Sequence, residues 1–183
     1  GRLYSSLRNY EQSKANFEKA LLVEHDNIEA LIGLADVDLL MGELDQLEKQ
    51  YKYILELCKT PQDRYLAYES FADFYEYTGQ MEKFLSAKDK QFVEFAKYTE
   101  PINVMIAQAI EMDNYVKAGR SEEAFEILKG FETQLKAPVN KFISLGYFSI
   151  YLELKKADEL EQAILGVEDV IASFKYEVLQ SLV

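Results

Sequence analysis

Residues 71–92 read FADFYEYTGQMEKFLSAKDKQF, and the fold can be inferred from this stretch. Apolar side chains recur at helical spacing on both sides of Gly79, and no catalytic motif lies among them. Glycine adopts most readily the left-handed conformation that ends a helix. The stretch therefore predicts two amphipathic helices joined by a tight turn. The residues predicted to face the second helix or to close the packing against it are Phe71, Ala72, Tyr75 and Phe84.

The same arrangement recurs along the chain. Gly42 and Gly119 correspond to Gly79, and successive turn residues are 34 to 40 residues apart. One hairpin of this size cannot bury both of its apolar faces, whereas stacked hairpins can. The three prolines each precede a new apolar periodic segment, where the missing N–H costs a helix nothing: Pro61, Pro101 and Pro138. We therefore predict an all-α repeat array with helix nearly throughout.

The connections predicted between helices are two to four residues long, which makes neighbouring helices antiparallel. Thr60, Ser121 and Asp158 provide helix start signals, and Asp158 has Glu161 three residues later, as in a capping box. The predicted helices span residues 1–8, 10–24, 27–41, 44–58, 61–77, 81–98, 101–118, 121–136, 138–155 and 158–172, with a last segment at 174–182.

The composition restricts the class of function. The chain has 183 residues, 49% hydrophobic content and a net charge of −12, which is the wrong sign for binding nucleic acid or anionic membranes. No apolar run approaches the roughly 20 residues of a membrane helix. Cys58 is the only cysteine, so no intrachain disulfide is predicted, and we expect a half-buried core thiol and a cytoplasmic location.

The repeats resemble the tetratricopeptide repeat (TPR) family. The first two units carry the resemblance best: GRLYSSLRNYEQSKANFEKALLVEHDN (1–27) and IEALIGLADVDLLMGELDQLEKQYKYI (28–54). The matching positions are Gly1, Tyr4, Tyr10, Phe17 and Ala20 in the first, and Leu31, Leu34, Ala35, Gly42 and Tyr51 in the second. The resemblance implies a right-handed α-solenoid of helix hairpins. The repeats are expected at about 1–27, 28–60, 61–100, 101–137 and 138–173, with a terminal segment at 174–183.

Several positions depart from the family pattern. Asp38 stands where an aromatic residue is expected, and Lys155 replaces the turn glycine. Met112 and Phe148 occupy the position of a small residue that allows two helices to approach. Gly1 aligns part-way along a first helix, so we expect the chain to be a fragment of a longer protein.

The resemblance implies that the first helix of each hairpin lines a concave groove that binds peptides or partner helices. Asp36, Asp73 and Asp113 stand six residues before successive turns and form a column of like charges. The other residues predicted to line the groove are Glu29, Ile32, Leu39, Leu66, Glu69, Glu76, Ile106, Ala109, Val116, Phe142, Leu145, Ser149 and Leu152. An acidic half followed by an apolar half fits a basic, partly apolar peptide or helix. The alternative is that these acids form a solvated face of an acidic protein.

An enzyme is not predicted. His25 is the only histidine, and neither a second histidine nor a second cysteine is present to complete a metal site. The chain has no G-x-S-x-G motif and no glycine-rich phosphate loop, so we predict no catalytic residues, cofactor or metal. Family members that read a C-terminal carboxylate use basic groove residues, whereas Asp36, Glu69 and Asp73 would repel one.

The sequence therefore predicts a non-catalytic protein-interaction scaffold, with no nucleic-acid partner and no membrane insertion. A second hypothesis is a peptide-sensing regulatory domain of a larger signalling or transcription-control protein. A third is homo-oligomer assembly through an incomplete end repeat.

Overall fold

The computed structural model describes residues 9–135, 143–162, 164 and 165. These residues fold into helices, and no strand occurs among them. The helices are α1 (Tyr10–Val23), α2 (Ile28–Met41), α3 (Leu47–Leu57), α4 (Pro61–Tyr77), α5 (Met81–Phe95), α6 (Pro101–Ile110), α7 (Asp113–Lys117), α8 (Ser121–Glu132) and α9 (Ile143–Glu153). Residues 157–162 are also helical.

The chain divides into two compact units, Gly1–Tyr98 and Thr99–Val183. In the first unit α1 packs on α2 and α4 packs on α5, while α2 and α4 also contact each other and α3 lies against both. In the second unit α9 packs on α6, α7 and α8. Each unit is thus made of packed helix pairs. The predicted division of the chain into five repeats stays a prediction.

The predicted turn positions are confirmed. Gly42, Gly79 and Gly119 have φ values of 77°, 72° and 73°, in the left-handed region that favours glycine. Lys155, predicted to replace the turn glycine, adopts φ 55° in the same role. A backbone hydrogen bond closes each of these turns. At Gly79, for example, the N–H of the next residue, Gln80, donates to the carbonyl oxygen of Tyr75 in the preceding helix at 2.8 Å.

Most of the predicted helix starts are also confirmed. The Thr60 side chain accepts from the Asp63 N–H at 3.1 Å, and the Asp63 carboxylate accepts from the Thr60 N–H at 3.0 Å. Pro61 and Pro101 occupy the first helical positions, and α8 begins at Ser121. The Asp158 cap is wrong, since the helix there already includes residue 157. Pro138 and the segments 1–8, 166–172 and 174–182 lie outside the described residues.

Several helix bounds differ from the prediction, and α8 ends at Glu132 rather than 136. Helix α3 begins at Leu47 rather than 44, because Gln46 takes a left-handed φ of 70°. Helix α5 ends at Phe95 rather than 98. The predicted helix 101–118 breaks at Glu111 and Met112 into α6 and α7. Met112 is buried at the position that small residues hold elsewhere, and a side chain of this size needs more room between helices.

The core of the first unit is built on an aromatic stack. The ring of Phe71 lies 5.3 Å from that of Tyr51 in α3 and 4.5 Å from that of Tyr75. The ring of Phe71 thus stacks on the preceding hairpin, and Phe71 also lines a cleft with Ser86 and Ala87 of α5, the second helix of its own hairpin. Tyr75 also turns toward α3, where its hydroxyl donates to Glu48 at 3.3 Å. Ala72 and Phe84 are buried, as predicted.

Candidate functional site

Carboxylates gather on α2 and α4 of the first unit. Glu69, Asp73 and Glu76 follow each other at helical spacing on one face of α4, and all three are exposed. Glu29, exposed, and Asp36, half-buried, are seven residues apart on one face of α2. We call these five residues the acidic surface.

Asp36 connects α2 to both neighbouring helices. One of its carboxylate oxygens accepts a hydrogen bond from the Tyr51 hydroxyl of α3 at 3.0 Å. The other accepts from the Ser70 hydroxyl of α4 at 3.3 Å. Burial, and then the nearby Asp36 charge, raise the pKa of Tyr51, so the hydroxyl keeps its proton and remains a donor. Asp36 therefore has a structural role beyond the groove role predicted for it.

Asp73 experiences the charges of the other acids. Loss of hydration raises its pKa to about 6, and the charges of Asp36 and Glu69 add to the shift, whereas Lys88 of α5 opposes it. The side chain is nevertheless accessible to solvent. Asp73 is thus accessible, but its charge is poorly hydrated and lies among like charges. A bound cation would stabilise that charge.

Three predicted groove residues are buried instead. Ile32 and Leu39 lie on the face of α2 that also carries Asp36, and the Asp36–Ser70 hydrogen bond shows that α4 covers this face. Ala109 is fully buried in the core of the second unit. Their side chains are not available to a ligand, and we correct the predicted groove by removing these three residues.

The remaining predicted residues are distributed over both units. Leu66 is half-buried on α4. In the second unit Ile106, Asp113, Val116 and Ser149 are half-buried and Leu152 is exposed. Asp113 lies 3.5 Å from Lys117, one turn further along α7. Phe142 lies outside the described residues, as does the side chain of Leu145. The alignment of Asp113 with Asp36 and Asp73 stays a prediction.

The structure explains one departure from the repeat pattern. Asp38, which replaces an expected aromatic residue, lies 2.8 Å from the ammonium group of Lys14 in α1. Glu43 lies 3.4 Å from the same group. An ion pair between α1 and α2 thus takes the place of an aromatic contact. Aligning the repeats position by position shows that Asp38 replaces an aromatic residue, but it does not show that Lys14 pairs with it.

The sequence reasoning missed a basic cluster in the first unit. Lys52 of α3 and Lys83 and Lys90 of α5 border a cleft of about 380 Å³. Lys83 and Lys90 are seven residues apart and therefore share one helix face. That spacing was the available signal, and the overall acidity of the chain concealed it.

The described residues contain no group of three or more metal-ligating side chains. Cys58 is a core thiol, as predicted, but it is buried rather than half-buried, and it donates to the Ile54 carbonyl at 3.2 Å. Burial raises the pKa of this thiol to about 11, which makes it a poor nucleophile. In the described part of the chain, no helix combines the length and apolarity that crossing a membrane requires.

No protein-family model matches the sequence, and no curated protein matches it. A solved structure is similar in fold: that of a Podospora anserina chain assigned as a kinesin light chain, with nearly identical TPR-like repeats. It aligns with a TM-score of 0.71 over 94% of this chain and 92% of its own, at 14% sequence identity. The predicted fold, an all-α TPR-like solenoid, is therefore confirmed. Such folds typically act as non-catalytic protein-interaction scaffolds.

Proposed function

We propose that this chain is a non-catalytic scaffold whose acidic surface binds a basic, partly apolar peptide or helix. The observation that carries the proposal is the exposure of Glu69, Asp73 and Glu76 on one face of α4, beside a carboxylate of α2. Like charges at this spacing repel each other. A cationic ligand relieves that repulsion.

The electrostatics of Asp73 support a cationic ligand. Its pKa of about 6 leaves it largely ionised at neutral pH, although its surroundings disfavour the charge. A lysine or arginine side chain nearby would stabilise the ionised form. Binding would then lower this pKa and recover the energy that the native fold loses by holding the acids together.

An apolar contact would give the ligand its second point of attachment. Leu66 lies one turn before Glu69 on α4 and is half-buried, so part of its surface remains accessible. A ligand with both lysines and leucines would use charge for steering and apolar burial for affinity.

The test measures binding of a fluorescein-labelled peptide, Gly-Lys-Leu-Lys-Lys-Leu-Lys-Gly, by fluorescence anisotropy. The test variant is Glu69→Gln, Asp73→Asn, Glu76→Gln, which keeps Asp36 and its structural hydrogen bonds. The matched control removes three exposed carboxylates from other elements: Glu18→Gln, Asp45→Asn, Glu56→Gln.

We expect affinity to fall with added salt and to fall at least about tenfold in the test variant, since three charge contacts are removed. The control should bind within about twofold of the native chain. A peptide with serine in place of both leucines should bind more weakly. Equal losses in both variants, or affinity independent of salt, would overturn the proposal.

A further inference from the structure

A cleft of about 380 Å³ opens between α3, α4 and α5 in the first unit. Leu55 of α3 and Tyr68 of α4 are half-buried at its apolar lining. Lys52 of α3 and Lys83 and Lys90 of α5 lie around it. We call this site the lysine cleft. Its volume is at the small end of ligand sites and suits one or two side chains of a partner.

The lysines of this cleft are incompletely neutralised. Lys52 and Lys83 share one carboxylate, that of Glu48, at 2.9 Å and 3.7 Å. Lys90 has no ion-pair partner among the described residues. Glu82 is the other carboxylate at the cleft among those residues. The cleft therefore has three ammonium groups and two carboxylates beside it, an excess of positive charge in a chain whose net charge is −12.

The lysine cleft and the acidic surface use different faces of α4. Tyr68, Phe71 and Tyr75 of α4 line the cleft. The α4 residues of the acidic surface are Glu69, Asp73 and Glu76. At 100° per residue, the two sets are centred about 130° apart around the helix axis. A ligand on one face therefore does not occupy the other.

We propose that the lysine cleft binds an extended acidic peptide segment with an apolar side chain between two acidic residues. The seven-residue spacing of Lys83 and Lys90 corresponds to a rise of about 10.5 Å. An extended peptide covers about 10 Å in three residues, so acidic residues at positions one and four reach both lysines. The intervening apolar side chain enters the cleft between Leu55 and Tyr68, and Lys52 closes the opposite side.

A peptide fits this site better than a nucleic acid. The lining between the lysines is apolar, and it offers a leucine-sized side chain a contact that a phosphate backbone does not use. A long polyanion would also experience the repulsion of the whole chain, whose net charge is −12. A short segment with two carboxylates places its charges only where the lysines are.

The experiment uses the full chain and a fluorescein-labelled peptide, Gly-Asp-Leu-Ser-Glu-Gly, in anisotropy titrations. The test variants are Lys83→Gln with Lys90→Gln, and separately Ser86→Glu. Ser86 lines the cleft between the two lysines and is exposed, so the added carboxylate repels the ligand without disturbing the core. The control is Lys19→Gln with Lys129→Gln, two exposed lysines on other helices. Circular dichroism checks that each variant folds.

We expect both test variants to weaken binding about tenfold and the control to leave it within about twofold. The peptide Gly-Asn-Leu-Ser-Gln-Gly should bind at least about tenfold more weakly than the acidic one. Equal binding of the two peptides, or unchanged affinity in the test variants, would overturn the proposal. So would tighter, cleft-dependent binding of an eight-nucleotide oligothymidine. None of these variants touches the acidic surface, so failure here leaves the proposed function standing.

Discussion

The hydroxyl of Tyr51 donates a hydrogen bond of 3.0 Å to the carboxylate of Asp36, and the tyrosine is fully buried. This bond joins the second helix of one hairpin to the first helix of the same hairpin. The second oxygen of Asp36 accepts from Ser70 in the next hairpin. One carboxylate of the acidic surface therefore connects three helices.

Tyr51→Phe should lower the free energy of unfolding by about 1.5–3 kcal/mol, because Asp36 loses a donor while its charge stays half-buried. Tyr53→Phe is the matched control, since Tyr53 is 56% exposed on the same helix, and it should change stability by less than about 0.5 kcal/mol. Urea denaturation followed by circular dichroism measures both. Equal stability of the two variants would contradict a structural role for the bond.

Asp73→Asn should stabilise the fold at pH 8 and lose that effect in acid. The folded pKa of about 6 lies above the ordinary value of 3.8, so the ionised form is penalised in the native state. The penalty is complete above about pH 6 and disappears as the pH falls toward 3.8. Since the side chain is accessible, we expect a gain of only about 0.5–1 kcal/mol at pH 8.

Urea denaturation at several pH values between 4 and 8 measures the difference in the free energy of unfolding between the native and Asp73→Asn chains. Asp89→Asn, which makes the same substitution at an exposed position of α5, is the control. A gain that grows as the pH falls would have the wrong sign for a raised pKa.

Gln91→Met should stabilise the first unit. Gln91 is fully buried, and neither its amide nitrogen nor its oxygen has a hydrogen-bond partner among the described residues. Removing two buried polar atoms while keeping a similar volume should gain about 1–3 kcal/mol. Gln50→Met, on the exposed face of α3, is the control. Thermal unfolding compares them, and a lower melting temperature for Gln91→Met would mean that the amide has a partner in solution.

Gly146→Ala and Gly130→Ala should have opposite effects in the second unit. A methyl group at position 146 would collide with the Ala109 carbonyl oxygen and lie 2.9 Å from a Leu128 methyl carbon. At position 130, within α8, the added carbon meets nothing within 4 Å. We expect a loss of about 1–3 kcal/mol at 146 and a gain of about 0.5–1 kcal/mol at 130. Denaturation curves showing the same sign for both would contradict the close approach of α9 to α6.

Local signals in the sequence predicted the turns and most helix ends. Glycines mark three left-handed turns, and alignment with them identified Lys155 as a fourth, although lysine gives no such signal by itself. Thr60 ahead of Pro61 marked the start of α4, where the structure shows a capping box between Thr60 and Asp63. These features depend on a few neighbouring residues, so they can be read without knowing the rest of the fold.

Contacts between helices were harder to predict. Helical spacing showed that Ile32 and Leu39 share a face, but not that α4 covers it. It also did not show that Phe71 stacks on Tyr51 of the preceding hairpin. Both outcomes depend on how hairpins stack, which involves residues distant in sequence. The lysine cleft depends on that stacking too, since it combines three helices.

Carbodiimide cross-linking of the basic peptide to the native chain identifies the carboxylates that the peptide contacts, because it joins lysine amines to neighbouring carboxylates without a spacer. Mass spectrometry would then identify the linked residues. We expect links concentrated at Glu69, Asp73 and Glu76, and their loss in 0.5 M salt. Links concentrated at Glu18, Asp45 or Glu56, or spread evenly over the chain's acids, would contradict it.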